Sequence, residues 1–291
     1  MSVSIKINFI GAGRVGKTIA KQIVDKKAAV IQGVHNLSLE SAKEAITYIG
    51  QGMAFKSIRE LPSSDITFIT TYDDAIADCC QDLAKSCNLK RGSIVLHCSG
   101  SLSSDLLTSV KKRDCYIASV HPMRSFLIPP KNKNSDRVYS CTFEGDKKSL
   151  SLLSSLFGMI NYSIYPINKQ DKSICHIASV FASNYLVTLY DKSLSCLKNS
   201  EITEEDGFEI ILNLMKSTLD NLEFSRSTSK SLTGPISRGD LGTIKRHLQK
   251  LSNANNLEIK KLYQVLGFST VTLTDLPDSK KETFFRIFSY L

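Results

Sequence analysis

Two patterns of apolar residues divide the chain near residue 168. Before that point, short apolar runs alternate with stretches in which apolar residues recur every three to four positions. The runs predict strands at 5–10, 28–34, 53–55, 66–71, 93–97, 116–120, 138–143 and 162–167, and the amphipathic stretches predict helices at 15–24, 38–49, 73–87, 103–110 and 147–157. Beyond it only helical periodicity remains, at 170–197, 204–224, 240–251, 257–266 and 280–290.

Alternating strands and helices are typical of a doubly wound, mostly parallel sheet. We therefore predict an α/β fold in which residues 1–167 form a Rossmann-like dinucleotide-binding domain and residues 168–291 form an all-helical domain.

A glycine turn joins the first predicted strand to the first predicted helix. It reads Gly11-Ala12-Gly13-Arg14-Val15-Gly16, the GxGxxG spacing of dinucleotide-binding folds. The first glycine permits the tight turn, the second lets a pyrophosphate approach the backbone, and the third allows close packing of helix on strand. We expect these six residues to bind the cofactor phosphates at the positive end of the helix.

The same residues also match the phosphate loop of nucleotide triphosphatases. Gly11 to Thr18 reads GxxxxGKT, in which Lys17 would reach the β- and γ-phosphates and Thr18 would hold magnesium. The strand at 66–71 followed by Asp73 could supply the second magnesium ligand, but Asp73 also opens a predicted helix, where capping explains a carboxylate more fully. A turn that binds nothing is a third interpretation. The Gly-x-Gly pair favours the dinucleotide fold.

The end of the second strand bears on the choice between NADP and NAD. In NAD-preferring folds, a carboxylate about 20 residues past the glycines binds the ribose 2′-hydroxyl. Here Asn36 holds that place, and the first carboxylate after it is Glu40. Because a carboxylate would repel a 2′-phosphate, its absence favours NADP, with Asn36, Ser38 and Lys43 as donors. NAD remains the alternative cofactor.

Composition indicates a globular protein with ample material for a core, since 42% of the residues are hydrophobic and 22% are charged. We see no apolar run of the roughly 18 residues that a membrane helix needs, and no secretion signal. Eight cysteines without a CxxC pair predict reduced thiols in a cytoplasmic protein. The net charge of +9 is dispersed, which argues against nucleic-acid binding, and no residues have metal-ligand spacing.

Four motifs resemble a known family. They are His97-Cys98-Ser99-Gly100-Ser101-Leu102-Ser103-Ser104, Val120-His121-Pro122-Met123-Arg124-Ser125-Phe126, His176 with Phe181-Ala182-Ser183-Asn184-Tyr185, and Leu232-Thr233-Gly234-Pro235-Ile236-Ser237-Arg238-Gly239-Asp240. In this order they resemble a bacterial family that joins a Rossmann-like domain to a C-terminal helical domain of unknown function. That family is similar to 6-phosphogluconate dehydrogenase, 3-hydroxyacid dehydrogenases, pyrroline-5-carboxylate reductase and prephenate dehydrogenase.

The resemblance implies an NAD(P)-dependent oxidoreductase that acts on a small molecule. In the similar enzymes the helical domain supplies the substrate site and commonly a dimer interface, so a homodimer is implied. Two departures put a transfer of catalytic roles in doubt. Arg124-Ser125-Phe126 differs from the prephenate dehydrogenase continuation, and His176, not asparagine, stands four residues beyond Lys172.

Segments that follow strands are candidates for the site, because ligands of such sheets bind at the carboxyl ends of the strands. We assign Thr70 and Thr71 to cofactor packing and Ser99 to positioning of the nicotinamide or the substrate. His121 is a candidate for substrate contact, although a His-Pro pair after a strand can also be purely structural.

The helix that opens the second domain carries the candidate acid/base. His176 lies in a stripe of small polar residues and can exchange a proton near neutrality. We predict that His176 is the general acid/base and that Asn184 orients the substrate, with Ser183 beside it. Bonding of His176 to backbone at the domain junction is the alternative.

Arg238 and Asp240 follow a Gly-Pro turn. They are predicted to contact the substrate, with Arg238 clamping its acidic group, or else to form a helix-capping loop. The predicted function is hydride transfer to or from a small polar, acidic metabolite. A triphosphatase that uses Lys17 and Thr18 and a non-catalytic NAD(P) sensor are the alternatives.

Overall fold

The computed structural model describes residues 4–127, 137–198, 200–253 and 257–289. The chain forms two compact units, Met1–Tyr185 and Leu186–Leu291. The domain limits predicted from sequence follow the change in periodicity, whereas compactness keeps the helix after residue 171 with the first unit. The Pro-, Lys- and Asn-rich segment after Phe126 lies largely outside the described residues.

The first unit contains an eight-stranded, mostly parallel sheet, as predicted. Its order is β3-β2-β1-β4-β5-β6-β7-β8, in which the first six strands are parallel, β7 is antiparallel to β6, and β8 is parallel to β7. The strands are β1 Lys6–Ile10, β2 Val30–His35, β3 Met53–Phe55, β4 Ile66–Ile69, β5 Ile94–His97, β6 Tyr116–Pro122, β7 Tyr139–Gly145 and β8 Tyr162–Pro166. The carboxyl ends of β1, β4, β5 and β6 therefore meet at one edge.

Side chains alternate between the two faces of the sheet along each strand, and apolar side chains lie on both faces. Helices therefore cover both faces. On one face Phe9 and Phe68 stack with ring centroids 4.7 Å apart beneath α1, α2 and α5. On the other face Ile10 and Ile69 pack with α3 and α4. The helices of this unit are α1 Arg14–Asp25, α2 Leu39–Ile49, α3 Ile76–Ala84, α4 Thr108–Lys111, α5 Lys147–Met159 and α6 Lys172–Ala182.

The described part of the second unit is helical, as predicted. It contains most of α7 Asn184–Leu197 and then α8 Glu204–Ser225, α9 Thr228–Ser231, α10 Leu241–Asn253, α11 Leu257–Val271 and α12 Asp278–Phe288. Its core is formed by α10, α11 and α12 through Ile244, Val271, Phe284 and Phe288. No helix in the described ranges is long and apolar enough to cross a membrane.

One helix boundary differs from the prediction. The periodicity predicts one helix over 170–197, but the structure breaks it at Ser183, where φ is −127° and ψ is −66°. The Ser183 hydroxyl donates to Ser179 O at 2.7 Å and contacts Asn184 Oδ1 at 3.0 Å. Ser179 and Ser193 make the same kind of bond to the carbonyl four residues back in helices that continue, so the bond accompanies the break and does not by itself explain it.

Candidate nucleotide-binding and catalytic site

The glycine turn is tightly fitted against the end of β4. Gly11 has a φ of +81°, and a Cβ there would lie 2.8 Å from Thr71 N. A Cβ on Gly16 would collide with the Thr70 hydroxyl, which donates to Gly11 O at 2.8 Å. Gly13 is different, since a Cβ on it would meet no atom within 4 Å. Two of the three glycines are therefore needed for packing, and the remaining one faces open space.

The first helix begins directly after this turn. Gly13 is the N-cap residue of α1, Arg14 is its first residue, and no side chain caps the helix. The first N–H groups of a helix have no partner within the helix, so at α1 they and the positive end of the helix dipole are available to an anion.

The triphosphatase interpretation of this turn is wrong. Helix α1 begins at Arg14 and not near Lys17. Thr18 is 5% exposed and donates its hydroxyl to Arg14 O at 2.8 Å, so it does not face a ligand. The Asp73 carboxylate, considered as a magnesium ligand, accepts hydrogen bonds from the hydroxyls of Ser99 at 2.9 Å and Ser101 at 3.3 Å. It does not cap the following turn either, as the sequence had suggested.

Asn36 joins the glycine turn to the end of β2. Its Oδ1 accepts a hydrogen bond from Ala12 N at 2.7 Å, and its Nδ2 donates to Ser41 O at 2.9 Å. Ser38 is the N-cap of α2 and accepts from Ser41 N at 3.1 Å. The Asn36 amide therefore fixes the turn, while its second Nδ2 hydrogen and the Ser38 hydroxyl hydrogen can still donate.

The segment after β5 is held by the side chain of a buried histidine. His97 Nε2 lies 3.1 Å from Ser103 O, and His97 Nδ1 accepts from Ser99 N at 3.2 Å. Because a carbonyl can only accept, the ring carries its proton on Nε2. Burial lowers the pKa of His97 to about 4, so the ring is neutral at physiological pH. One imidazole thus bridges both ends of the loop from residue 98 to 103.

Further contacts fix the same loop. The Ser99 hydroxyl accepts from Leu102 N at 3.0 Å and Ser101 N at 3.3 Å in addition to its bond to Asp73. At the far end, Glu144 is 3% exposed and accepts from the Ser104 backbone N at 2.7 Å and the Ser104 hydroxyl at 2.8 Å. The Ser99 hydroxyl, which the sequence assigned to cofactor positioning, is engaged within the loop.

A buried lysine reaches this loop from α6. Lys172 is 2% exposed, and its Nζ donates to Ser99 O at 3.1 Å and to the Ser119 hydroxyl at 2.7 Å. Burial lowers the pKa of Lys172, and the nearby carboxylates of Glu144 and Asp73 oppose that effect. The first residue of α6 is thus bonded to the loop after β5 and to β6.

Two histidines meet beside the loop. The rings of His121 and His176 are 5.2 Å apart between centroids and inclined by 80°. Both Nδ1 atoms are buried and have no hydrogen-bond partner among the described residues. Burial, with the neighbouring His176 and Lys172, lowers the pKa of His121 to about 4. A Cβ on Gly100 would enter the His176 ring, 2.8 Å from its Cγ, so this contact requires glycine.

Other predicted residues lie elsewhere. Ser183 and Asn184 follow the carboxyl end of α6, seven and eight residues from His176, or roughly 12 Å along the helix. Arg238 and Asp240 belong to the second unit. There Asp240 accepts from Thr243 N at 3.0 Å and Thr243 Oγ1 at 2.6 Å, which caps α10. Those two bonds lower the pKa of Asp240.

Sequence reasoning missed three charged residues of this site. Asp73 was interpreted as a helix cap, Glu144 was not considered, and Lys172 was compared only with a motif that it does not complete. The available signal was the spacing of Lys172 and His176, since residues four apart share one face of a helix. Within the described ranges, no group of three or more His, Cys, Asp or Glu residues could hold a metal ion.

Two family models match the chain. Residues 2–122 match the Rossmann-like domain, and residues 139–270 match a domain of unknown function, DUF2520. This pairing confirms the resemblance drawn from the four motifs, which is to a Rossmann-like domain followed by a helical domain of unknown function. No curated protein matches the sequence.

Solved structures share the fold over nearly the whole chain. A candidate NADP oxidoreductase, BF3122 from Bacteroides fragilis, is 20% identical, with a TM-score of 0.75 over 92% of this chain and 98% of its own. Protein TM1727 from Thermotoga maritima is 26% identical, with a TM-score of 0.62 over 95% and 98%. A reductive aminase from Aspergillus terreus, solved with NADPH and ethyl-5-oxohexanoate, is 12% identical, with a TM-score of 0.60 over 98% and 93%. Pyrroline-5-carboxylate reductases and a prephenate dehydrogenase share the fold as well.

Proposed function

We propose that this protein is an NAD(P)-dependent oxidoreductase that transfers hydride to or from a small polar, acidic metabolite. The observation that carries the proposal is the glycine turn, in which Gly11 and Gly16 pack tightly while Gly13 faces open space in front of an uncapped helix. That geometry suits a diphosphate, which needs close approach to the backbone. The NADP- and NADPH-linked neighbours support the same cofactor.

The residues at the sheet edge fit a dinucleotide. The turn from Gly11 to Gly16 would hold the diphosphate through its backbone, and Asn36 and Ser38 would contact the adenosine ribose. The absence of a carboxylate at Asn36 favours NADP over NAD. Thr70 and Thr71 line the turn beside the diphosphate, and the loop of Ser99 would border the nicotinamide. When bound, the cofactor supplies or accepts the hydride.

Proton transfer is assigned to the histidine pair. A neutral imidazole has one nitrogen that can accept a proton and one N–H that can donate a hydrogen bond, so it can move a proton to or from a substrate hydroxyl. We assign the general acid/base role to His176, and substrate contact to His121, whose ring is kept neutral by its surroundings. Asn184 and Ser183, which belong to the same unit as the histidine pair, would orient the substrate.

A homodimer through the helical unit is part of the proposal. Helix α8 exposes five large apolar side chains, and only Gly207 of that helix is buried. Those side chains are Phe208, Ile210, Leu214, Leu219 and Phe224. They fall on opposite sides of α8, and a helix that is apolar all round is typical of a buried one. The similar enzymes named above commonly pair through their helical domains. Light scattering after size exclusion tests this, since Leu214→Glu should yield a monomer if the proposal holds. The eight free cysteines support a cytoplasmic location.

A substrate screen tests the oxidoreductase proposal. NADPH absorbance is followed against a panel of small 2-oxo acids, 3-oxo acids and cyclic imino acids, and NADP reduction against the corresponding alcohols and amines. We expect turnover with an acidic member of the panel and its loss in His176→Asn. His247→Asn is the matched control, because His247 lies in the second unit and bonds to Tyr263. Dinucleotide binding without turnover on any member would favour an NAD(P) sensor, and unchanged turnover in His176→Asn would remove the acid/base assignment.

A further inference from the structure

Lys172 is the one described lysine whose relative exposure is 2% or less. Its Nζ has two hydrogen-bond acceptors, the Ser99 carbonyl and the Ser119 hydroxyl, and both are uncharged. None of the ion pairs formed by the described residues includes Lys172. Burying an ammonium group without a carboxylate in contact is costly. The arrangement therefore needs a reason beyond stability.

The two bonds of Lys172 have a direct geometric consequence. Ser99 O belongs to the peptide that leads into Gly100, and Gly100 lies against the His176 ring with no room for a Cβ. His176 itself stands one turn after Lys172 on α6. Lys172 thus fixes the Gly100 backbone on one side of the histidine pair and the start of the helix that carries His176 on the other.

The second acceptor extends this hold to His121. Ser119 lies two residues before His121 on β6, so both side chains point to the same face of the sheet. Its hydroxyl lies 3.5 Å from His97 Nδ1 and 3.5 Å from Ser99 O. The groups that act on His121 are His176 and Lys172 of α6, which lower its pKa, and Asp73 after β4, which raises it.

We propose that Lys172 is a positioning residue, whose buried ammonium sets the geometry of the His121–His176 pair and the protonation of His121 without touching the substrate. Only the importance of Lys172 for turnover rests on the proposed function. The hydrogen bonds and the electrostatic effect that it invokes belong to the protein alone. It assigns to Lys172 a different role from that of an acid/base lysine.

Histidine ring NMR tests the proposal on the full chain. Protein labelled with 15N-histidine has five ring systems, which single substitutions assign. In Lys172→Met, which keeps the length of the side chain and removes its charge, we expect His121 to titrate at a higher pH and the His176 ring shifts to change. Lys172→Arg should restore part of the wild-type titration. Lys169→Met is the matched control, since Lys169 is 47% exposed and pairs with Asp105 at 2.6 Å. In this variant His121 should titrate as in the wild type.

A second variant covers the case in which Lys172→Met does not fold. Ser119→Ala removes one acceptor of the ammonium and leaves its charge in place, so it should change the ring chemical shifts of His121 and His176 through geometry alone. Two results overturn the proposal: wild-type titration of His121 with wild-type His176 ring shifts in a folded Lys172→Met, or, if Lys172→Met does not fold, wild-type ring shifts of both histidines in Ser119→Ala. NADPH binding is measured separately by calorimetry. Failure of the wild type to bind NADPH overturns the proposed function and leaves the titration result standing.

Discussion

Gly13→Ala separates binding from folding at the glycine turn. A Cβ on Gly13 would meet no atom within 4 Å, and φ and ψ at this residue are −79° and −148°. We therefore expect Gly13→Ala to fold, with a free energy of unfolding lowered by no more than about 3 kcal/mol. The added methyl group would stand where a diphosphate must approach the backbone. Loss of one hydrogen bond to a charged group costs about 1.5–3 kcal/mol, which raises the Kd for NADPH by roughly 10- to 150-fold.

The assay compares thermal stabilisation of wild type and variant by NADPH. At 100 times its Kd the ligand stabilises the wild type by about 2.7 kcal/mol, a rise in Tm of roughly 5–10 °C for a unit of this size. With the Kd raised 100-fold, the same concentration gives only about 0.4 kcal/mol, or roughly 1 °C. Gly158→Ala is the control, because Gly158 also meets nothing within 4 Å and lies at the end of α5. Equal NADPH binding by Gly13→Ala and wild type would show that the diphosphate does not approach the backbone at Gly13.

Four further predictions follow from the same contacts. Asn36→Asp places a carboxylate where a 2′-phosphate would bind, so the ratio of NADPH to NADH affinity measured by calorimetry should fall at least roughly tenfold. An unchanged ratio would contradict a 2′-phosphate site at Asn36. Gly100→Ala should displace the His176 ring, seen as changed ring shifts and lost turnover; wild-type shifts would contradict the contact. His97 has a folded pKa of about 4 and an unfolded pKa of about 6.5, so the unfolded chain binds the extra proton first as the pH falls. Its contribution to stability should therefore drop by about 3 kcal/mol between pH 7 and 4, measured by urea unfolding, and His97→Gln should lack that drop. Leu214→Glu should halve the mass in light scattering, and a wild-type mass would count against the α8 interface.

The sheet could be predicted from sequence because its signal is local. Each buried parallel strand is a short apolar run, such as Ile66–Ile69, and each helix repeats apolar residues every three to four positions. The tight turn at Gly11 could also be predicted, because its φ of +81° favours glycine and the sequence has glycine there. The break at Ser183 could not be predicted this way, because apolar residues continue at helical spacing on both sides of it.

The candidate site was only partly predictable, because its contacts join distant parts of the chain. His121 and His176 were singled out by motif and are brought together in space. The partners that hold them were not foreseen, since Lys172 bonds to residues 73 and 53 positions away and Glu144 bonds 40 positions away. An apolar helix gives no sign in sequence of which polar residue it buries. Asp240 was easier to predict, because its partner is close in sequence. The helix cap given as its alternative role is the contact that the structure shows.

The most direct test of the central claim is a calorimetric titration of the full chain with NADPH, NADH and ATP–magnesium under the same conditions. We expect one NADPH site per chain, weaker binding of NADH, and no saturable binding of ATP–magnesium. Saturable ATP–magnesium binding that is lost in Lys17→Ala, with no dinucleotide binding, would contradict the claim that the glycine turn holds a dinucleotide.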